Sequence, residues 1–235
     1  MFAAVAPRLS NKLPKPSLVR GCRAHPVAQE RYGRLAVAFE TIGCTMNFPR
    51  NGEIYGEGET ARSFYKVASG AVRTYKLLDD GRRQISGFHL AGDIFGLGAG
   101  AHYQFSAEAV AATTVVAVDR GTLAKLAARD SELASELWTL TAEELDHLRG
   151  LMTTLGRKNA HERLAAFLLE MTRRIGANGA IELPMSRQDI ADYLGLTIET
   201  VSRTFTQLEA EAVIELPSCR RVVLKNGGAL SRLND

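Results

Sequence analysis

The sequence predicts an α+β chain: a small antiparallel β-roll, then a long helix, then a C-terminal helix-turn-helix with a two-stranded wing. Three observations predict it. From about 45 to 120, short alternating stretches are punctuated by glycine, with 11 of the chain's 21 glycines between 52 and 121. From 130 to 156, apolar residues recur every three or four positions. From 185 to 205, two short helical rhythms meet across Gly195.

Length and composition limit the alternatives. At 235 residues and 46% apolar content, the chain can bury two modest cores. We expect a flexible basic tail over 1–29, a roll over 30–129, the long helix over 130–156 and the winged head over 157–235. The tail carries five Lys/Arg, no acid and four prolines. No apolar run approaches the ~20 residues that cross a bilayer. The opening MFAAVA is too short for a signal-peptide core, so a cytoplasmic protein without a membrane partner is expected. Cys22, Cys44 and Cys219 are isolated and odd in number, which suits a reducing compartment. No nucleophile-base pairing or metal-ligand spacing stands out, so neither an enzyme, a metal centre nor a cofactor is expected.

Within the roll, FYKVASGAVRTYKL (64–77) reads as two strands turning at Ser69 and Gly70. DDG at 79–81 marks the next reversal, and VVAVDR at 115–120 closes the series.

The long segment DSELASELWTLTAEELDHLRGLMTTLG begins with the caps Asp130 or Ser131, and Gly156 can end it. Leu133, Leu137, Thr141, Leu145, Leu148, Met152 and Leu155 form one stripe. Such a stripe is either ordinary core or a seam with a second copy, and its length relative to the roll favours the seam.

In the head, Ser186 and Asp189 have capping-box spacing, Gly195 stops the first helix and Thr197 caps the second. Ile198, Val201, Phe205 and Leu208 are expected to pack against Ile190, Leu194 and Leu196, with small Ala191 allowing a close crossing. Glu199, Ser202 and Arg203 then point outward. A guanidinium can grip guanine bidentately, a carboxylate can accept from the cytosine amino group, and a hydroxyl suits either base edge. The bland alternative is an i,i+4 ion pair between Glu199 and Arg203 on a solvated helix. Ser186, Arg187, Thr197, Thr200, Arg220, Arg221 and Lys225 are candidates for phosphate contacts. Net charge is only +3, and residues 156–235 sum to +1, so binding to DNA would depend on where these groups sit. Cys219, beside Arg220 and Arg221 in the expected wing turn, is a candidate for oxidation.

GRKNAHERLAAFLLEMTRR (156–174) and LPMSRQDIADYLGLTIETVSRTF (183–205) resemble the C-terminal half of the FNR branch of the cyclic-AMP receptor superfamily. YGEGETARSFYKVASGAVRTYKLLDDGRRQISGFHLAGDIFGL (55–97) is similar to its FixK subgroup. The resemblance implies a cyclic-nucleotide-binding β-roll, a homodimer about the long helix, and recruitment of RNA polymerase. It also implies an activator of low-oxygen or nitrogen-fixation genes. Its E-x-x-S-R signature, matched by Glu199, Ser202 and Arg203, implies readout of TTGAT-N4-ATCAA-like palindromes.

Two departures matter. The clustered cysteines that hold an iron–sulfur centre in FNR are missing. Leu97 and Phe105 stand where the family's nucleotide-binding glutamate and arginine would be, so the phosphate site is expected to be lost and binding to need no ligand. The competing expectation is a sensor gated by haem or another small molecule in the roll, with His89 and His102 as candidate ligands.

Overall fold

The computed structural model describes residues 32–98, 100–175 and 179–234, and the expected basic tail with Cys22 lies outside them. Helix α1 (Gly33–Ile42) leads into eight strands: β1 (Cys44–Phe48), β2 (Glu53–Tyr55), β3 (Ser63–Ser69), β4 (Ala71–Leu77), β5 (Arg83–Leu90), β6 (Ile94–Phe95), β7 (Ser106–Ala109) and β8 (Thr113–Asp119). They form two four-stranded antiparallel sheets, ordered β1-β8-β3-β6 and β2-β7-β4-β5. Alternation along β3 puts Tyr65 and Val67 inside, and Val72, Phe95, Ala107 and Val115 complete the packing between the sheets.

The DDG reversal is a true hairpin: Leu77 pairs with Arg83, and Gly81 takes φ +84°. The turn at Ser69 and Gly70 is not. β3 and β4 lie in different sheets, and Gly70, at φ +84°, is the corner between them. A Cβ there would sit 2.5 Å from Thr113 Oγ1 and 2.6 Å from the Ala112 carbonyl oxygen, so glycine is needed for close passage as well as for φ. Alternation reports that two strands exist, but their partners are chosen by residues far along the chain.

After α2 (Arg120–Ala127), the long helix α3 (Ser131–Arg157) starts at Asp130, whose carboxylate accepts from the Glu132 and Leu133 amides. It runs through Gly156. The break comes two residues later, where Asn159 Oδ1 accepts from the His161 and Glu162 amides and so starts α4 (Ala160–Ile175).

The seven-residue stripe on α3 does not face one way. A spacing of four advances about 40° around a helix, so three such steps from Leu133 to Leu145 rotate the stripe by about 120°. Leu133 is buried, and Leu137 packs beside it, against Leu35, Phe39 and Leu123 of the chain's own core. Thr141, Leu145, Leu148 and Met152 are exposed, and Trp138, which the stripe omits, is the most exposed large apolar side chain among the described residues, at 76%.

The head follows α4: β9 (Ala180–Glu182), α5 (Arg187–Leu194), α6 (Ile198–Ala210), β10 (Ile214–Glu215), β11 (Arg221–Leu224) and α7 (Gly227–Asn234). The wing has three strands, ordered β10-β11-β9, rather than the two expected. Leu164, Phe167, Leu168 and Met171 of α4 are buried in one core with Ile190, Leu194, Val201, Phe205 and Leu208. Each such side chain contributes about 1.5–3 kcal/mol on burial. That core crosses the expected domain boundary, because Ile85 and Phe88 of β5 belong to it, with Phe88 packed on Phe167 and Tyr193 at ring separations of 6.2 and 5.3 Å. The head is thus seated on the roll.

Candidate nucleic-acid interface

Ser186 and Asp189 form the capping box that starts α5: the Asp189 amide donates to Ser186 Oγ (3.1 Å), and the Ser186 amide donates to Asp189 Oδ2 (3.0 Å). Gly195 ends α5 at φ +62°, a left-handed cap that glycine adopts without cost. Thr197 Oγ1 accepts from the Thr200 amide and starts α6 (3.2 Å). Val201, Phe205 and Leu208 are buried against α5 as expected. Ile198 is not, at 37% exposed: it is the first residue of the helix and has a following turn but no preceding one to pack beside.

The opposite face of α6 carries Glu199, Ser202 and Arg203, all exposed. The start of the helix, the Thr197 hydroxyl and, more weakly, Arg203 hold the Glu199 carboxyl below its ordinary range, so it is an anion. No ion pair joins Glu199 to Arg203 among the described residues, so the i,i+4 pair of the bland alternative is not formed. An anion held only by the start of its own helix, a hydroxyl and a guanidinium stand on one outward face, the set of acceptors and donors that base edges complement.

The groups expected at the DNA backbone divide. Thr197 and Thr200 lie together at the start of α6, their hydroxyls 3.1 Å apart, and Arg221 is exposed on the wing with Arg220 partly so. Lys225 is paired with Glu215 at 2.5 Å. Ser186 Oγ donates to Asp189 Oδ2 (2.7 Å), so capping already uses its hydroxyl. Arg187 is a correction to the expectation of a free phosphate contact: its guanidinium lies on the Phe205 ring, 3.3 Å from the centroid, with Nη1 buried. Burial lowers its pKa. Cys219 is exposed in the wing turn.

Inside the roll, aromatic rings are stacked. Tyr55 lies 3.7 Å from Tyr103 and 5.4 Å from Tyr65, and Phe95 lies 5.3 Å from Tyr65. Burial drives the Tyr55 and Tyr65 hydroxyls above their ordinary range, so both stay neutral. The Arg120 guanidinium covers Phe64 and Tyr103 and donates to the carbonyl oxygens of Gly96, Gly98 (3.0 Å) and Gly100 (3.2 Å), pinning the segment that contains Leu97. Leu97 packs towards the α1–α3 core, and Phe105 is exposed. His89 is buried with Nε2 3.2 Å from Thr74 Oγ1, whereas His102 is exposed.

A set of contacts that no local sequence motif marks joins roll to head. Arg73 Nη1 (2.9 Å) and Arg83 Nη2 (2.7 Å) both donate to Asp189 Oδ1, and Arg83 Nε donates to Asp192 Oδ2 (2.8 Å). Arg174 of α4 bonds Asp93 (2.5 Å) and the Phe88 carbonyl oxygen (2.6 Å). Arg163 donates to the carbonyl oxygens of Leu155, Lys158 and Leu194, tying the ends of α3 and α5 together.

Comparison with known proteins agrees with this architecture. Residues 45–130 match the cyclic nucleotide-binding domain, and residues 162–233 match the Crp-like helix-turn-helix domain. The chain is 47% identical over 226 residues to the nitrogen fixation regulation protein FixK of Azorhizobium caulinodans, covering 94% of this chain and 91% of that protein. It is 33% identical to the fumarate and nitrate reduction regulatory protein of Escherichia coli K12, covering 77% of this chain and 74% of that one. Among solved structures, FixK2 from Bradyrhizobium japonicum superposes with a TM-score of 0.80 at 48% identity, over 83% of this chain and 98% of that one. An outward reading helix, a winged head and this level of identity lead to one assignment: the chain belongs to the CRP/FNR family, as a DNA-binding transcription regulator of the FixK type.

Proposed function

We propose that two copies of the chain, paired along the exposed part of α3, bind TTGAT-N4-ATCAA-like palindromes and activate genes of low-oxygen or nitrogen-fixation metabolism by recruiting RNA polymerase in the cytoplasm. The carrying observation is the outward face of α6, where Glu199, Ser202 and Arg203 are exposed side by side. Thr197, Thr200, Arg220 and Arg221 flank that face and set register on the phosphates. Trp138, Thr141, Leu145, Leu148 and Met152 supply the apolar strip for the partner copy, which places two reading helices about one DNA turn, ~34 Å, apart. The similarity to FixK proteins supports the gene class, and no helix among the described residues is long and apolar enough to cross a membrane.

We take binding to need no small molecule, a reading supported by the stacked tyrosines between the sheets of the roll. The test is selection from randomised duplexes by the purified protein without additives. An inverted repeat of TTGAT type is the expected product. Selection only in the presence of haem or a nucleotide, or no inverted repeat at all, would overturn the reading.

A further inference from the structure

Asp189 belongs to the head, yet half of its hydrogen-bonding capacity is used by the roll. Oδ2 accepts from the Ser186 amide and hydroxyl, while Oδ1 accepts from Arg73 of β4 and Arg83 of β5. Burial alone would raise the Asp189 pKa, but the Ser186 bonds and the two guanidinium groups outweigh it, and the carboxyl is held below its ordinary range. The arginines are fixed in turn: Arg73 Nη2 donates to Glu108 (2.7 Å) and Asn51 (3.3 Å) within the roll, and Arg83 reaches on to Asp192, one turn further along α5. Gln84 Nε2 adds a bond to the Tyr193 carbonyl oxygen (3.3 Å).

We infer that Arg73 and Arg83 are positioning residues for operator recognition: by clamping α5 through Asp189 and Asp192, they fix the direction in which each roll presents its reading helix. The inference rests on the dimeric reading above. The clasp grips α5 and leaves the α6 face open, so it aims the head without masking it. Its members are polar groups with directional bonds, whereas the apolar contact of Phe88 with Tyr193 and Phe167 fixes proximity more than angle. Orientation matters because one base pair more or less between half-sites moves the second by about 3.4 Å along the duplex and about 34° around it. A head held by a bidentate clasp cannot follow that rotation, and a loosened one can.

The experiment measures binding of the full chain to duplexes carrying two selected half-sites separated by about two to about six base pairs. Arg83→Gln and Asp192→Asn cut the same contact from opposite sides, and both side chains are partly exposed, so the fold tolerates them better than a change at buried Arg73. The wild type is expected to prefer one separation sharply. Each variant should reduce that preference by about tenfold, the double variant no further, with base preference inside a half-site unchanged. Spacing preference equal to wild type in either variant, or weakening that is uniform over all separations, overturns the inference. A wild type indifferent to paired half-sites would instead sink the operator reading itself.

Discussion

Helices α5 and α6 begin alike and end up with opposite roles. Each starts at a hydroxyl cap, and each carries a carboxylate in its first turn. Asp189 is only 3% exposed and accepts bonds from its own cap and from two arginines of the roll. Glu199 is exposed and meets only the start of its own helix and Thr197, with Arg203 nearby. One acid is spent on holding the head, and the other is left for a partner outside the chain. What separates the two acids is that Asp189 is bonded to the roll, whereas Glu199 meets nothing beyond its own helix and cap.

The largest test of this contrast is the pair Asp189→Ala and Glu199→Ala. Removing the buried carboxylate takes away the bonds from the Ser186 amide and hydroxyl and from both arginines at once, although Glu108 still pairs with Arg73, and should cost about 3 kcal/mol of folding stability. Urea unfolding should place Glu199→Ala at the wild-type midpoint while its DNA selectivity falls. Similar midpoints for the two variants would erase the distinction.

Acid should expose the same asymmetry. Burial lowers the pKa of the His89 imidazole to about 4, so the folded ring stays neutral while the unfolded one protonates below about 6.5. The unfolded chain then binds the extra proton, so stability is complete above that range and declines as pH falls towards 4, by about 3 kcal/mol. Asp189, whose pKa is depressed, loses its contribution only as pH falls further, below the ordinary carboxylate range. His89→Gln should flatten the slope between pH 6.5 and 4, measured by urea unfolding at successive pH values. An unchanged slope would show that other groups carry it.

On the open side of the comparison, Arg203→Ala should weaken binding to the selected operator by about 1–3 kcal/mol and relax choice at one base pair per half-site. Folding stability should not move, because Arg203 is exposed. Equal weakening on unrelated sequences would make Arg203 a phosphate contact instead.

Local chemistry made the head legible. Ser186, Asp189, Gly195 and Thr197 act within a few residues of themselves, and the spacing of Val201, Phe205 and Leu208 follows the helix period wherever the helix lies. Features set by distant residues stayed hidden. The corner at Gly70 looks like a hairpin until Thr113 and Ala112 are known to be its neighbours, and β9 becomes a strand only by pairing with β11. On α3, a run of four-residue spacings drifts around the helix, so the stripe leaves the exposed face at its start and misses Trp138. The clasp was least accessible, since Arg73 and Asp189 are 116 positions apart and neither belongs to a recognisable motif with the other.

The two caps give the smallest and most discriminating comparison. Replacing an N-cap hydroxyl by alanine costs about 0.5–2 kcal/mol, mostly through the orphaned amide that it served. At Thr197 that is the main loss, because the Thr200 hydroxyl beside it is near solvent, and the cost should fall at the lower end, about 0.5–1 kcal/mol. At Ser186 the hydroxyl also donates to Asp189 Oδ2, so Ser186→Ala removes one of the bonds that keep a buried carboxylate charged between two arginines. Its cost should fall at the upper end, about 1–2 kcal/mol. A double-mutant cycle of Ser186→Ala with Arg83→Gln should then be non-additive, whereas Thr197→Ala with Arg83→Gln should add. Additivity in both cycles would mean that the capping box and the roll hold Asp189 independently, and that the inward role of α5 belongs to its apolar face alone.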